Sequence, residues 1–183
     1  MKLDKSQFKK ISSKKVYTSK KVAVIEDKIE LPNGNTVFWD YYDLPNLFYG
    51  IVLSKDFKKV FLVREYRSGP SECIVNFTGA RDLKNNQVNG IKELKRELEE
   101  EMGVVPLRLE FLMKIMNGTH IGGFKFFYLV IDYKKSILNP DKNELLEIID
   151  LPVKGLYKRL VSDFIAPAEV LLMAKILEER FSE

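Results

Sequence analysis

The sequence predicts an α+β fold: a mixed β-sheet flanked by helices, with an N-terminal β-hairpin extension. Three observations carry the prediction. Short β-branched and aromatic runs recur between residues 22 and 77, an amphipathic helix interrupts them near residue 91, and two further helices close the chain.

Residues 1–21 are studded with lysine and show little apolar periodicity, which reads as a solvated start. From Val22 the pattern turns to β, and Pro32-Asn33-Gly34-Asn35 has the chemistry of a hairpin turn before an alternating strand through Val37, Trp39 and Tyr41. Residues 48–53 and 59–63 read as paired core strands, and residues 73–77 as a further short strand. The polar, Asn-rich residues 80–89 read as a loop. Ile91, Leu94, Leu98 and Met102 then mark one buried helical face, with Gly103 placed to end the helix and Pro106 to prevent its continuation. Residues 107–116, 124–132 and 144–150 read as strands, with a flexible Gly-rich loop at 117–123. Residues 154–163 and 167–181 read as helices, the second with Pro167 in its first turn.

Composition narrows the chemistry. With 183 residues, 45% hydrophobic and 31% charged, the chain can bury a core and is not globally disordered. No apolar run approaches the roughly 20 residues of a membrane span. The lysine-rich start lacks the apolar stretch of a signal peptide, so a cytoplasmic protein is expected. The single Cys73 excludes a disulfide framework within the chain and reads as a small buried hydrophobe, and the single His120 excludes a histidine-rich metal cluster. Nearby acids (Asp4, Glu26, Asp27 and Glu30) dilute the basic N-terminus, and nucleic-acid binding is not expected.

The net charge is +4, yet five acids lie between Glu93 and Glu101 against only Lys95 and Arg96; outside that window 28 bases face 21 acids. At about 100° per residue the apolar stripe spans roughly 80°. Glu97 and Glu101 fall at its border, Glu93 and Glu100 further out on the same side, and Glu99 points to solvent. Such a row repels itself by a few tenths of a kcal/mol per i,i+4 pair even when exposed. Mg²⁺ or Mn²⁺ would relieve it and leave positions open for phosphate oxygens. The alternative is a surface helix served by Lys92 and Lys95.

Arg96-Glu97-Leu98-Glu99-Glu100-Glu101-Met102-Gly103-Val104 matches R-E-U-x-E-E-x-G-U, the second half of the Nudix box. Over about residues 14–181 the chain resembles the ADP-ribose pyrophosphatase branch of Nudix hydrolases. The resembling segments are Pro32-Asn33-Gly34-Asn35-Thr36, Phe61-Leu62-Val63-Arg64-Glu65-Tyr66-Arg67, and the stretch from Asn143 to Pro152. The resemblance implies an α/β/α sandwich, with residues 1–45 an N-terminal extension of antiparallel strands that forms a homodimer and 46–183 the Nudix domain. It implies Mg²⁺-dependent hydrolysis of ADP-ribose or a related nucleotide sugar to a nucleoside monophosphate and a sugar phosphate. Glu97, Glu101, Glu100 and the Thr78 carbonyl would hold metal, and Arg96 would hold the carboxylates. Glu100 could instead orient water, Glu144 or Asp141 would be the base, and Arg67, Arg64 and His120 would meet the substrate. Arg67 also reads as a structural ion pair and His120 as a plain loop histidine. Tyr49, Tyr66, Phe124 and Phe126 read as core or as stacking surfaces.

The first half of the box departs from the pattern. Counting back from Arg96, the glutamate position holds Val88 and the glycine position Asp82, while Gly79 lies three residues further away. Val75 stands where the family often has a glutamate, and Lys142 where it often has another. Glu93 is the nearby candidate to substitute for the missing box glutamate. These departures leave a second reading, a catalytically silent Nudix domain that binds a nucleotide, a nucleotide sugar or RNA; action on capped RNA is a third.

Overall fold

The computed structural model describes residues 4–19, 22–82, 86–140 and 145–181. Among the described residues, ten strands form one mixed sheet: β1 Lys9–Thr18, β2 Ala23–Glu30, β3 Thr36–Asp43, β4 Asn46–Leu53, β5 Lys59–Arg67, β6 Glu72–Asn76, β7 Thr78–Asp82, β8 Val104–Gly118, β9 Ile121–Lys135 and β10 Leu146–Pro152. Helix α1 spans Gln87–Met102, α2 Leu156–Asp163 and α3 Ala168–Phe181. The strand order is β1-β2-β3-β9-β4-β5-β10, with β6 on β5, β7 on β4 and β8 on β9. The β4–β9 pair is parallel, from Leu47↔Lys125 to Val52↔Val130, as is the short β3–β9 pairing at Tyr42↔Ile121, while β5 and β7 run antiparallel to β4 and β8 antiparallel to β9, so the sheet is mixed as expected.

Alternation along β4 divides the core into two layers. Phe48 and Val52 point into a cluster with Leu94, Leu98 and Met102 of α1, while Tyr49, Ile51 and Leu53 point into a second cluster with Leu156 and Leu160 of α2 and Val170, Met173 and Leu177 of α3. The sheet thus lies between one helix and two, an α/β/α sandwich.

The predicted hairpin forms: Leu31 N–H donates to the Asn35 carbonyl, and Gly34 takes φ +83°, a conformation that a side chain disfavours. The lysine-rich start is solvated as expected, and residues 9–18 form a strand within it: β1, every residue exposed, against β2. Its order comes from backbone pairing rather than burial, so hydrophobic periodicity could not reveal it.

The loop expected at 80–89 is corrected at both ends, and its residues 83–85 lie outside the described residues. Ala80 to Asp82 belong to β7, with Thr78, Ala80 and Asp82 buried, and α1 starts at Gln87 behind an Asn86 N-cap whose side chain accepts from Val88 N–H. The flexible loop expected at 117–123 is a tight turn, with only Thr119 and His120 between β8 and β9. Among the described residues, no helix is long and apolar enough to cross a membrane.

Candidate active site

Helix α1 is held close to the sheet by glycines. A Cβ on Gly50 would fall 2.8 Å from Leu98, and one on Gly90 would fall 2.3 Å from the Phe48 ring. Buried Gly90, Leu94, Leu98 and Met102 fix the rotation of the helix, and Gly103, at φ +62°, closes it through N–H contacts to the Leu98 and Glu99 carbonyls. The carboxylates therefore project from a helix whose register cannot drift.

Arg96 organises that edge. Its Nε lies 3.1 Å from Glu93, and its two terminal nitrogens pair with Glu97 and Glu100. Hydrogen bonding to Glu100 first, then to Glu93, together with the charge of Glu97, holds the guanidinium pKa above its ordinary value despite partial burial. Glu101 sits half-buried one turn beyond Glu97. Glu99 is exposed on the other side and accepts from the Ser136 hydroxyl.

Under α1, Thr78 and Asp82 are 1% and 0% exposed. Thr78 lies opposite Gly50, on the α1 face, and its hydroxyl has no partner among the described residues. Asn89 of α1 donates to Asp82 at 3.3 Å. Among the described residues, no three His, Cys, Asp or Glu side chains are gathered to hold a metal by themselves. The donor chemistry still suits Mg²⁺, a hard cation that commonly takes one or two carboxylates and keeps several waters.

The other residues singled out from the sequence are dispersed. Val63 points into the α1 cluster, so alternation puts Arg67 on the α1 face and Arg64 on the opposite one. Arg67 pairs with Glu65 on its own strand, and Arg64 lies 3.6 Å from Glu147 of β10. Arg64 lines a small cavity with Cys73 and residues 162–165. Cys73 is exposed, which corrects the expectation of a buried thiol: β6 is short and its outer end is open to solvent.

His120 lines a different cavity of about 510 Å³, with Lys10, Asp27, Trp39 and Tyr41 of the N-terminal strands. Its carbonyl accepts from Tyr42 N–H. Tyr49 is core, stacked on Phe127, and burial pushes its hydroxyl up to about 12, with the Glu169 charge adding to the shift. Phe126 stacks on Phe48, whereas Phe124 and Tyr66 are exposed at 39% and 60%. Asp141 and Glu144 lie outside the described residues. The burial of Asp82 beside α1 was not anticipated, because its place in an Asn-rich stretch masked the alternation of β7.

A row of Arg-held carboxylates lies on α1, the one helix on its face of an α/β/α sandwich, and that sandwich is the fold expected from the Nudix resemblance. The same fold occurs in a solved ADP compounds hydrolase: the two share a TM-score of 0.76 at 20% identity, over 96% of this chain and 94% of that one. The chain is also 24% identical over 146 residues to the methanol dehydrogenase activator of Bacillus methanolicus, covering 78% of this chain and 77% of that protein. No protein-family model matches the chain.

Proposed function

We propose that the protein is a Mg²⁺-dependent pyrophosphohydrolase of a nucleoside diphosphate linked to a second moiety, ADP-ribose or a related nucleotide sugar. The observation that carries this reading is the Arg96 clamp on the carboxylate row of α1, in a fold shared with an ADP compounds hydrolase. Glu97, Glu101 and Glu100, with the Thr78 carbonyl, would hold Mg²⁺ or Mn²⁺. When bound, the cation supplies an activated water and offsets charge on the leaving phosphate. Arg96 keeps the carboxylates aimed, and Arg67 is the cation on the α1 face for the diphosphate. The base falls to Glu144 or Asp141.

The protein acts as a cytoplasmic homodimer built through residues 1–45. Phe38 and Tyr42 of β3, on one face and 62% and 51% exposed, support such an interface, and light scattering on the purified protein tests it.

The test of activity is incubation with Mg²⁺ or Mn²⁺ and a panel of ADP-ribose, other nucleotide sugars, dinucleoside polyphosphates and capped RNA. Nucleoside monophosphate and sugar phosphate are expected, with turnover lost in Glu97→Gln and Glu101→Gln. Tight binding without turnover would instead establish the silent Nudix domain, the reading that the exposed Val88 at the box glutamate position favours.

A further inference from the structure

The Arg96 clamp has a third arm that the family pattern does not specify. Glu97 and Glu100 occupy the terminal nitrogens, and Glu93, one turn back along α1, takes Nε at 3.1 Å. A guanidinium is a planar fork with fixed donor directions. Partners on its terminal nitrogens resist rotation about the Cδ–Nε bond, whereas a partner on Nε also fixes the position of that nitrogen and of the stem below it.

Position 88, where the pattern places a glutamate, cannot do this here. Helix α1 already begins at Gln87, so residue 88 lies in its first turn, eight residues and about 12 Å of helix from Arg96. Val88 is 78% exposed.

We propose that Glu93 is a positioning residue that locks the Arg96 rotamer, and through it the orientation of Glu97 and Glu100. The proposal rests on the metal-dependent hydrolase reading above and adds to it a residue of this chain. Geometry supports it at two levels. Glu93, Arg96, Glu97 and Glu100 are spaced at i, i+3, i+4 and i+7 on one helix, so a single guanidinium can reach all three carboxylates. The carboxylates are each 20–34% exposed at the side chain, so water competes only in part for the pairs. Loss of a residue that orients metal-holding carboxylates typically costs about 10–100-fold in metal affinity or activity.

The test compares wild type with Glu93→Gln, Glu93→Asp and Glu99→Gln, with Glu97→Gln as the reference for the metal-dependent reading. Three readouts are taken: the nitrogen-15 resonance and hydrogen exchange of the Arg96 Nε–H, assigned with Arg96→Lys; the affinity for Mn²⁺ alone, by electron paramagnetic resonance; and kcat and KM for ADP-ribose. In Glu93→Gln the Nε–H is expected to shift and exchange faster, Mn²⁺ affinity to fall about 10-fold or more, and kcat to fall with KM little changed. Glu93→Asp is expected to recover part of each loss, and Glu99→Gln to match wild type. An unchanged Nε–H signal, or a changed signal with unchanged Mn²⁺ affinity, overturns the proposal. If Glu97→Gln also leaves Mn²⁺ binding and turnover intact, the hydrolase reading itself fails, and the Nε–H signal still decides whether Glu93 anchors Arg96.

Discussion

Gly90 of α1 lies against the ring of Phe48 in β4, so close that a Cβ would fall 2.3 Å from Cε2 and 2.5 Å from Cζ. Both residues are buried, Phe48 at 0% exposure, and the ring is stacked on Phe126 with centroids 4.8 Å apart. The ring therefore has nowhere to retreat.

Gly90→Ala is expected to destabilise the fold although alanine is the better helix former. Overpacking costs about 1–3 kcal/mol, against a propensity gain of about 1 kcal/mol. Urea unfolding should show a net loss, and turnover should fall with it because α1 carries the carboxylate row. Equal or greater stability would mean that the helix can lift from the sheet without cost.

The N-terminal strands predict an acid-sensitive region. Burial raises the Asp27 carboxyl, but hydrogen bonds from Lys10 and Ser13 more than offset this and hold it below its ordinary value near 3.8. The stability that it contributes is thus present above that value and lost as pH falls through the lower, folded one. Trp39, the single tryptophan, lines the same cavity and reports the change. As pH is lowered from about 5 to about 2, through the ordinary value and the lower folded one, Tm followed by Trp39 fluorescence should fall more steeply in wild type than in Asp27→Asn. Parallel slopes would remove Asp27 from the acid transition.

On the opposite layer, Lys125 of β9 pairs with Glu169 in the first turn of α3, with side chains only 16% and 14% exposed. Glu169→Gln strands the ammonium. The penalty for a fully buried pair is about 3–5 kcal/mol, so about 2 kcal/mol is expected at this partly open site. Lys125→Met in the same background should recover part of it, because no charge is then left unpaired. Chemical denaturation of the two variants checks both signs.

What was legible in the sequence follows from which interactions leave a periodic trace. The stripe from Ile91 to Met102 and the Asn33-Gly34 turn are local patterns, and both formed. Strand β1 left no trace, since Lys9 to Thr18 bury nothing and are ordered by hydrogen bonds to β2. Strand β7 was hidden because two of its inward positions are polar, Thr78 and Asp82. Gly90 sits inside α1 despite its low helix propensity, where only a glycine fits under the helix against Phe48. The carboxylate row was legible, as was the adjacent arginine. That Glu93 completes the clamp depends on a side-chain rotamer, which sequence spacing permits but does not select.

Arg64 and Arg67 turn the same logic into a paired prediction. Both follow the apolar run of β5, and three residues of strand put them on opposite faces of the sheet. Arg67 shares the face of Val63 and α1, while Arg64 shares the face of α2 and its cavity. If the diphosphate is held on the α1 side, Arg67→Ala should raise KM for ADP-ribose by about 10-fold, the loss of one charge-assisted hydrogen bond of about 1.5 kcal/mol. The change in Arg64→Ala should be several-fold smaller. Steady-state kinetics on the two variants, with Tm measured alongside to confirm folding, decides between the faces. A larger effect at Arg64 would move the diphosphate to the α2 side and detach it from the carboxylate row.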